Sequence, residues 1–150
     1  MRGPQTATAS ISAEGVWEDR TPFRLTERTR VGDLGMVDDA GFITGTGRIK
    51  DVILRGGPSV APLEIDAALM SHPDVHEAAV VGVPDRIWGE EIVAFVVKSD
   101  GAVTSEEEIL AHAAVILPDF KRPKTVKFIT ALPKNKRGKV RREELKNMFI

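Results

Sequence analysis

Val75-His76-Glu77-Ala78-Ala79-Val80-Val81-Gly82-Val83, followed by Ile92-Val93-Ala94-Phe95-Val96-Val97, forms two apolar, β-rich runs of strand length. Pro84-Asp85-Arg86-Ile87-Trp88-Gly89-Glu90-Glu91 between them reads as a polar connection. Upstream, Pro62 suits a first helical turn, Ile65, Ala68 and Leu69 make an inward stripe, and His72-Pro73 stops the helix. Downstream, Ser105 with Glu108 three residues on is a capping box, opening a helix through Ile109, Leu110, Ala113 and Ile116. Pro118 and Pro123 bracket a basic loop, residues 126–129 make a third strand, and residues 141–149 a last helix. The expected fold is α+β: a small domain with a three-stranded sheet near residues 76–83, 91–98 and 125–130, flanked by helices.

Working further toward the N-terminus, Leu34-Gly35-Met36-Val37 and Phe42-Ile43-Thr44-Gly45 flank the turn sequence Asp38-Asp39-Ala40-Gly41, which predicts a β-hairpin. This hairpin has too little apolar material for its own core, so it reads as the edge of something larger. A boundary near Lys50 follows, with residues 1–49 before it and a unit of domain size, residues 50–150, after it. Residues 1–13 are rich in Ser, Thr, Ala and Gly without periodicity and read as a loop or frayed terminus.

Composition narrows the function classes. The chain of 150 residues is 42% hydrophobic and 29% charged, which suits a folded domain rather than a disordered one. It has no cysteine, which removes disulfides, thiolate metal sites and cysteine nucleophiles. No apolar run approaches a membrane span and no signal-peptide core is present, so the expected setting is cytoplasmic. The net charge of −1 conceals segregation: residues 119–146 hold eleven Lys/Arg against three Asp/Glu. Such a basic end suits an anionic partner, or is simply a solvated surface.

Individual residues stay ambiguous on pattern alone. Lys139 follows Gly138 inside a basic loop; its ammonium can offset charge on a phosphoryl or carboxylate oxygen, or the dipeptide can be a surface turn. It is no Walker A loop, because Val140 follows the lysine. Asp33 can hold ribose hydroxyls or cap a turn, and Arg48 can donate to a hydroxyl or phosphate or make a surface ion pair. Gly56-Gly57 permits close approach of a ligand, or makes a loop. His72, His76 and His112 lack metal-ligand spacing, and no Ser-His-Asp arrangement can be argued.

Together, residues from about 29 to 146 resemble the C-terminal portion of the AMP-forming acyl-CoA synthetases, in the superfamily that includes luciferases and peptide-synthetase adenylation domains. The resemblance is carried by Arg30-Val31-Gly32-Asp33-Leu34-Gly35, Asp39-Ala40-Gly41-Phe42 and Gly47-Arg48-Ile49-Lys50-Asp51-Val52-Ile53. It continues through Gly56-Gly57, Pro62-Leu63-Glu64-Ile65, His72-Pro73-Asp74-Val75, Gly82-Val83-Pro84-Asp85 and Gly89-Glu90. Phe120-Lys121-Arg122-Pro123, Leu132-Pro133-Lys134 and Gly138-Lys139-Val140 complete it.

The resemblance implies a reaction in two halves. ATP and a carboxylic acid give an acyl-adenylate and pyrophosphate; the C-terminal domain then rotates, and coenzyme A gives a thioester and AMP. It implies that Asp33 holds the ribose, that Arg48 assists there and that Lys50 is the hinge. It implies that Lys139 reaches the acid carboxylate and the α-phosphate, and that Gly56 and Gly57 meet the pantetheine arm. Mg²⁺ is expected with ATP, with no ligand from this chain. The partner implied is an N-terminal adenylating domain that contributes the phosphate loop and acid pocket, so the chain reads as a fragment or as half of a split enzyme. Val31 stands where threonine is usual, Ser59 where a longer polar residue is frequent, and Leu54 where some relatives carry a lysine. Two alternatives remain open: an adenylating domain that loads a carrier protein, and a non-catalytic binding module using the basic end. The scarcity of aromatic residues argues against nucleic acid as a partner.

Overall fold

The structure, a computed structural model, describes residues 9–11, 17–19 and 32–149. They fall into two units, one ending at Asp33 and one beginning at Leu34. In the first, β1 (Ala9–Ile11) runs antiparallel to β2 (Trp17–Asp19), with Ile11 opposite Trp17. Residues 9–11 were expected to be loop. A three-residue ladder is held by backbone hydrogen bonds, and three residues are too few to show a period. The rest of the expected N-terminal loop, together with Arg30 and Val31, lies outside the described residues.

β3 (Asp33–Val37) and β4 (Ile43–Arg48) form the expected hairpin. Its turn is closed by the Asp38 carboxylate, which accepts from the Phe42 N–H at 2.8 Å, while Gly41 takes a φ of +86°. Met36, Val37, Phe42 and Ile43 are all exposed, in keeping with a hairpin that lacks its own core. A 3-10 turn (Ile49–Asp51) leads to a small antiparallel pair, β5 (Ile53–Leu54) with β6 (Ser59–Val60).

The rest is one three-stranded sheet with three helices. α1 (Pro62–Met70) precedes β7 (Val75–Asp85) and β8 (Gly89–Lys98), which pair antiparallel. α2 (Glu106–Ile116) returns the chain to β9 (Thr125–Phe128), parallel to β8, and α3 (Arg142–Phe149) closes the unit. β8 is central. The sheet is covered on both faces, which is why its strands read as continuous apolar runs rather than as alternation. One face carries Ala78, Val80, Ile92, Ala94 and Val96 against Ile65 and Leu69 of α1 and Ile109 and Ala113 of α2. The other carries Ala79, Val81, Val83, Val93 and Phe95 against Leu145 of α3 and Leu132 of the loop before it. Each fully buried Val, Leu, Ile or Phe among them contributes about 1.5–3 kcal/mol relative to exposure.

Two details differ from expectation. The connection expected over residues 84–91 is mostly strand: Pro84 pairs with Glu90 and Asp85 with Gly89, leaving a three-residue turn. Its carboxylates are held in the ladder by partners from elsewhere, Glu90 by the Leu54 N–H at 2.7 Å and Glu91 by Arg55. In α2, Ile116 is half-exposed, and Leu117 turns inward instead.

Candidate functional site

Two features of the second unit stand out. The first is built on the β5–β6 turn. Gly56, at a φ of +64°, donates its N–H to the Trp88 carbonyl at 2.8 Å. A Cβ on Gly56 would stand 2.8 Å from Trp88 Cε3, so only glycine fits against that ring. Gly57 follows at a φ of +110°, again in the left-handed region. Trp88 is itself set by Asp85, whose Oδ1 accepts from the Ile87 and Trp88 N–H groups at 2.8 and 2.9 Å. Those bonds, that from Trp88 first, hold the Asp85 carboxyl below its usual range.

Beside the turn lies a cleft of about 300 Å³ lined by Arg55, Gly56, Pro58, Trp88, Asp119 and Phe120. Its aromatic walls remain accessible, Trp88 at 48% and Phe120 at 42% exposure. The Arg55 guanidinium sits 5.7 Å from the Trp88 ring centroid and is oriented by Glu91, with Nε 2.8 Å from Oε1, and by the Asp119 carbonyl at 3.0 Å. Lys121, bonded to Glu64 at 2.6 Å, lies 5.5 Å from the Phe120 ring. A cleft walled by π-faces and rimmed by cations suits a planar or apolar group joined to an anion.

The second feature is the loop between β9 and α3. Lys134 and Val140 form an isolated β-bridge, and Lys134 also pairs with Glu77 of β7. Within the loop, Asn135 accepts from the Arg137 and Lys139 N–H groups through Oδ1, and Gly138 takes a φ of +77°. Lys139 is exposed, and its ammonium has no ion-pair partner among the described residues. Just beyond, Arg142 donates to Asp66 Oδ2 at 2.5 Å and to the Val80 carbonyl at 2.7 Å, and the Val80 N–H donates to Asp66 Oδ1 at 2.8 Å. This buried pair ties α3 to α1 and β7. Burial pushes the Asp66 carboxyl up by more than Arg142 pulls it down.

The remaining candidates lie on separate elements. Asp33 opens β3, Arg48 ends β4 and Lys50 sits in the 3-10 turn, all exposed. Of the candidates in the second unit, Gly56 lines the cleft. Sequence reasoning passed over Trp88, Asn135 and the Asp66–Arg142 pair. Asn135 carried a usable signal, since asparagine before a basic, glycine-containing run is a turn former. The partnership of residues 66 and 142 carried none. Among the described residues no group of three or more His, Asp or Glu side chains is placed to hold a metal ion. Also among those residues, no helix is long and apolar enough to cross a membrane.

A family model described as the AMP-binding enzyme C-terminal domain matches residues 64–139. The sulfoacetate–CoA ligase of Cupriavidus necator is 47% identical over 118 residues, covering 79% of this chain and 23% of that protein. A fatty acid–[acyl-carrier-protein] ligase, ScoC, of Streptomyces coeruleorubidus is 43% identical over 118 residues, with the same 79% and 23% coverage. Among solved structures, ATP-bound MatB from Rhodopseudomonas palustris superposes with a TM-score of 0.76 at 39% identity, over 79% of this chain and 24% of that one. The chain thus spans about a quarter of the length of the curated relatives it matches.

Proposed function

Because the chain belongs to the family of AMP-binding enzyme C-terminal domains, we propose that it is the mobile C-terminal domain of an acid–thiol ligase. In the first half-reaction a carboxylate oxygen attacks the α-phosphorus of ATP, and pyrophosphate leaves. In the second, the thiol sulfur of coenzyme A attacks the acyl carbon, the thiol proton passes to solvent, and AMP leaves.

The observation that carries this reading is the presence, in one small unit, of an exposed lysine on a closed loop and an aromatic cleft floored by glycine. Lys139 serves adenylation: its charge offsets the negative charge that builds on the α-phosphate and the attacking carboxylate, without proton transfer. Gly56 and Gly57 serve thioester formation, letting the pantetheine arm pass close to the backbone, with the neighbouring cleft taking part of the carrier. Asp33 and Arg48 hold the ribose, and Lys50 is the hinge between the two orientations. Residues 1–49 then belong to the edge of the large adenylating domain, which supplies the phosphate loop and the acid pocket. ScoC's name favours a second reading, in which a carrier protein's phosphopantetheine replaces free coenzyme A.

The test is to join the chain to its large domain and assay acid-dependent AMP release against a panel of acids. Release stimulated by coenzyme A supports the first reading, and release stimulated only by a phosphopantetheinylated carrier protein the second. No AMP from any acid contradicts both.

A further inference from the structure

We infer that Asn135 is the positioning residue that presents Lys139 for adenylation, an inference that rests on the role proposed above for that lysine. Its side-chain oxygen accepts from the N–H groups on both sides of Gly138, from Arg137 at 2.9 Å and from Lys139 at 3.0 Å. Its backbone closes the same loop: the Asn135 N–H donates to the Lys139 carbonyl at 2.9 Å, and its carbonyl accepts from the Gly138 N–H at 2.9 Å. All four bonds converge on the segment that carries the ammonium.

The base of the loop is fixed independently. Lys134 bridges to Val140 and pairs with Glu77, the Arg141 N–H donates to the Pro133 carbonyl at 2.8 Å, and Arg142 is locked to Asp66 and Val80. Those contacts hold the ends, and the Asn135 carboxamide holds the middle. An exposed loop without it samples many backbone states, and each state other than the productive one costs rate in a reaction that depends on placement. Asn135 is exposed and belongs to neither core cluster, so its replacement disturbs the loop and not the sheet.

Two readouts test the inference. In the isolated chain, Asn135→Ala speeds hydrogen exchange at the Arg137 and Lys139 amides and leaves β7 and β8 protected; unchanged exchange at both amides overturns it. In the complete enzyme, Asn135→Ala slows adenylation by about tenfold to a hundredfold. It leaves thioester formation from supplied acyl-adenylate within about twofold. Asn135→Ser, whose hydroxyl makes the same kind of turn more weakly, restores much of the loss. Equal slowing of both half-reactions, or adenylation unaffected by Asn135→Ala while Lys139→Ala is severely slowed, overturns the positioning role. Adenylation indifferent to Lys139→Ala instead overturns the role of the lysine itself.

Discussion

At the scale of residues, Gly56 is held to glycine twice over, by a φ of +64° and by the Trp88 ring 2.8 Å from where a Cβ would stand. Any side chain there must push the ring, reshape the turn, or both. In the complete enzyme, Gly56→Ala is expected to slow thioester formation by about tenfold or more while sparing adenylation. Quenched-flow assays of the two half-reactions would measure this, and equal losses would count against a role confined to the thiol step. Glycine pairs and a lysine after glycine are visible in a sequence because their chemistry is local. Asp66 is different: its partner is 76 residues away, and nothing near it in sequence announces a buried ion pair.

Among the elements, α2 shows how a local signal becomes stability. Ser105 accepts from the Glu108 N–H at 3.3 Å, and Glu108 accepts in return from the Ser105 N–H at 2.8 Å and from the Thr104 hydroxyl at 3.1 Å. Ser105→Ala is expected to cost about 1 kcal/mol in denaturant unfolding of the chain. The two bonds accepted by Glu108 hold its carboxyl below the ordinary 4.5. A lowered folded value means that the contribution is full above pH 4.5 and lost as pH falls through the folded value. Acid titration of Glu108→Gln should therefore show a shallower loss of stability below pH 4.5 than the parent; identical slopes would contradict the capping role. Asp66 works in the opposite sense, because burial raises it: its contribution is full below 3.8 and declines as pH rises through its folded value.

Legibility follows the range over which a pattern is written. The capping box, the Pro62 helix start and the apolar runs of β7 and β8 are short-range patterns, and each became the element expected of it. Glu90 reads as connection because acidic residues suggest a loop, whereas Leu54 and Arg55, far off in sequence, supply the partners that let it and Glu91 stay in a strand. Gly82 belongs to that arrangement. A Cβ there would stand 2.8 Å from Ile53 and 2.9 Å from the Glu90 carboxyl carbon, so glycine admits both neighbours.

For the whole molecule, both faces of the sheet are covered, the hairpin of β3 and β4 exposes apolar side chains, and the basic loop points its lysine to solvent. The proposed chemistry follows that division, with the rigid sheet as a platform for two features used at different steps. The family was readable from ordered motifs, but the aromatic cleft was not, because Trp88 and Phe120 are brought together only by the fold. In the proposed cycle Lys139 acts in adenylation and is absent from the thiol step. The most direct measurement is the rate of each half-reaction in the complete enzyme carrying Lys139→Ala. Adenylation slowed about 10²–10³-fold, with thioester formation from supplied acyl-adenylate near the parent rate, is the predicted result; equal loss in both halves would contradict it.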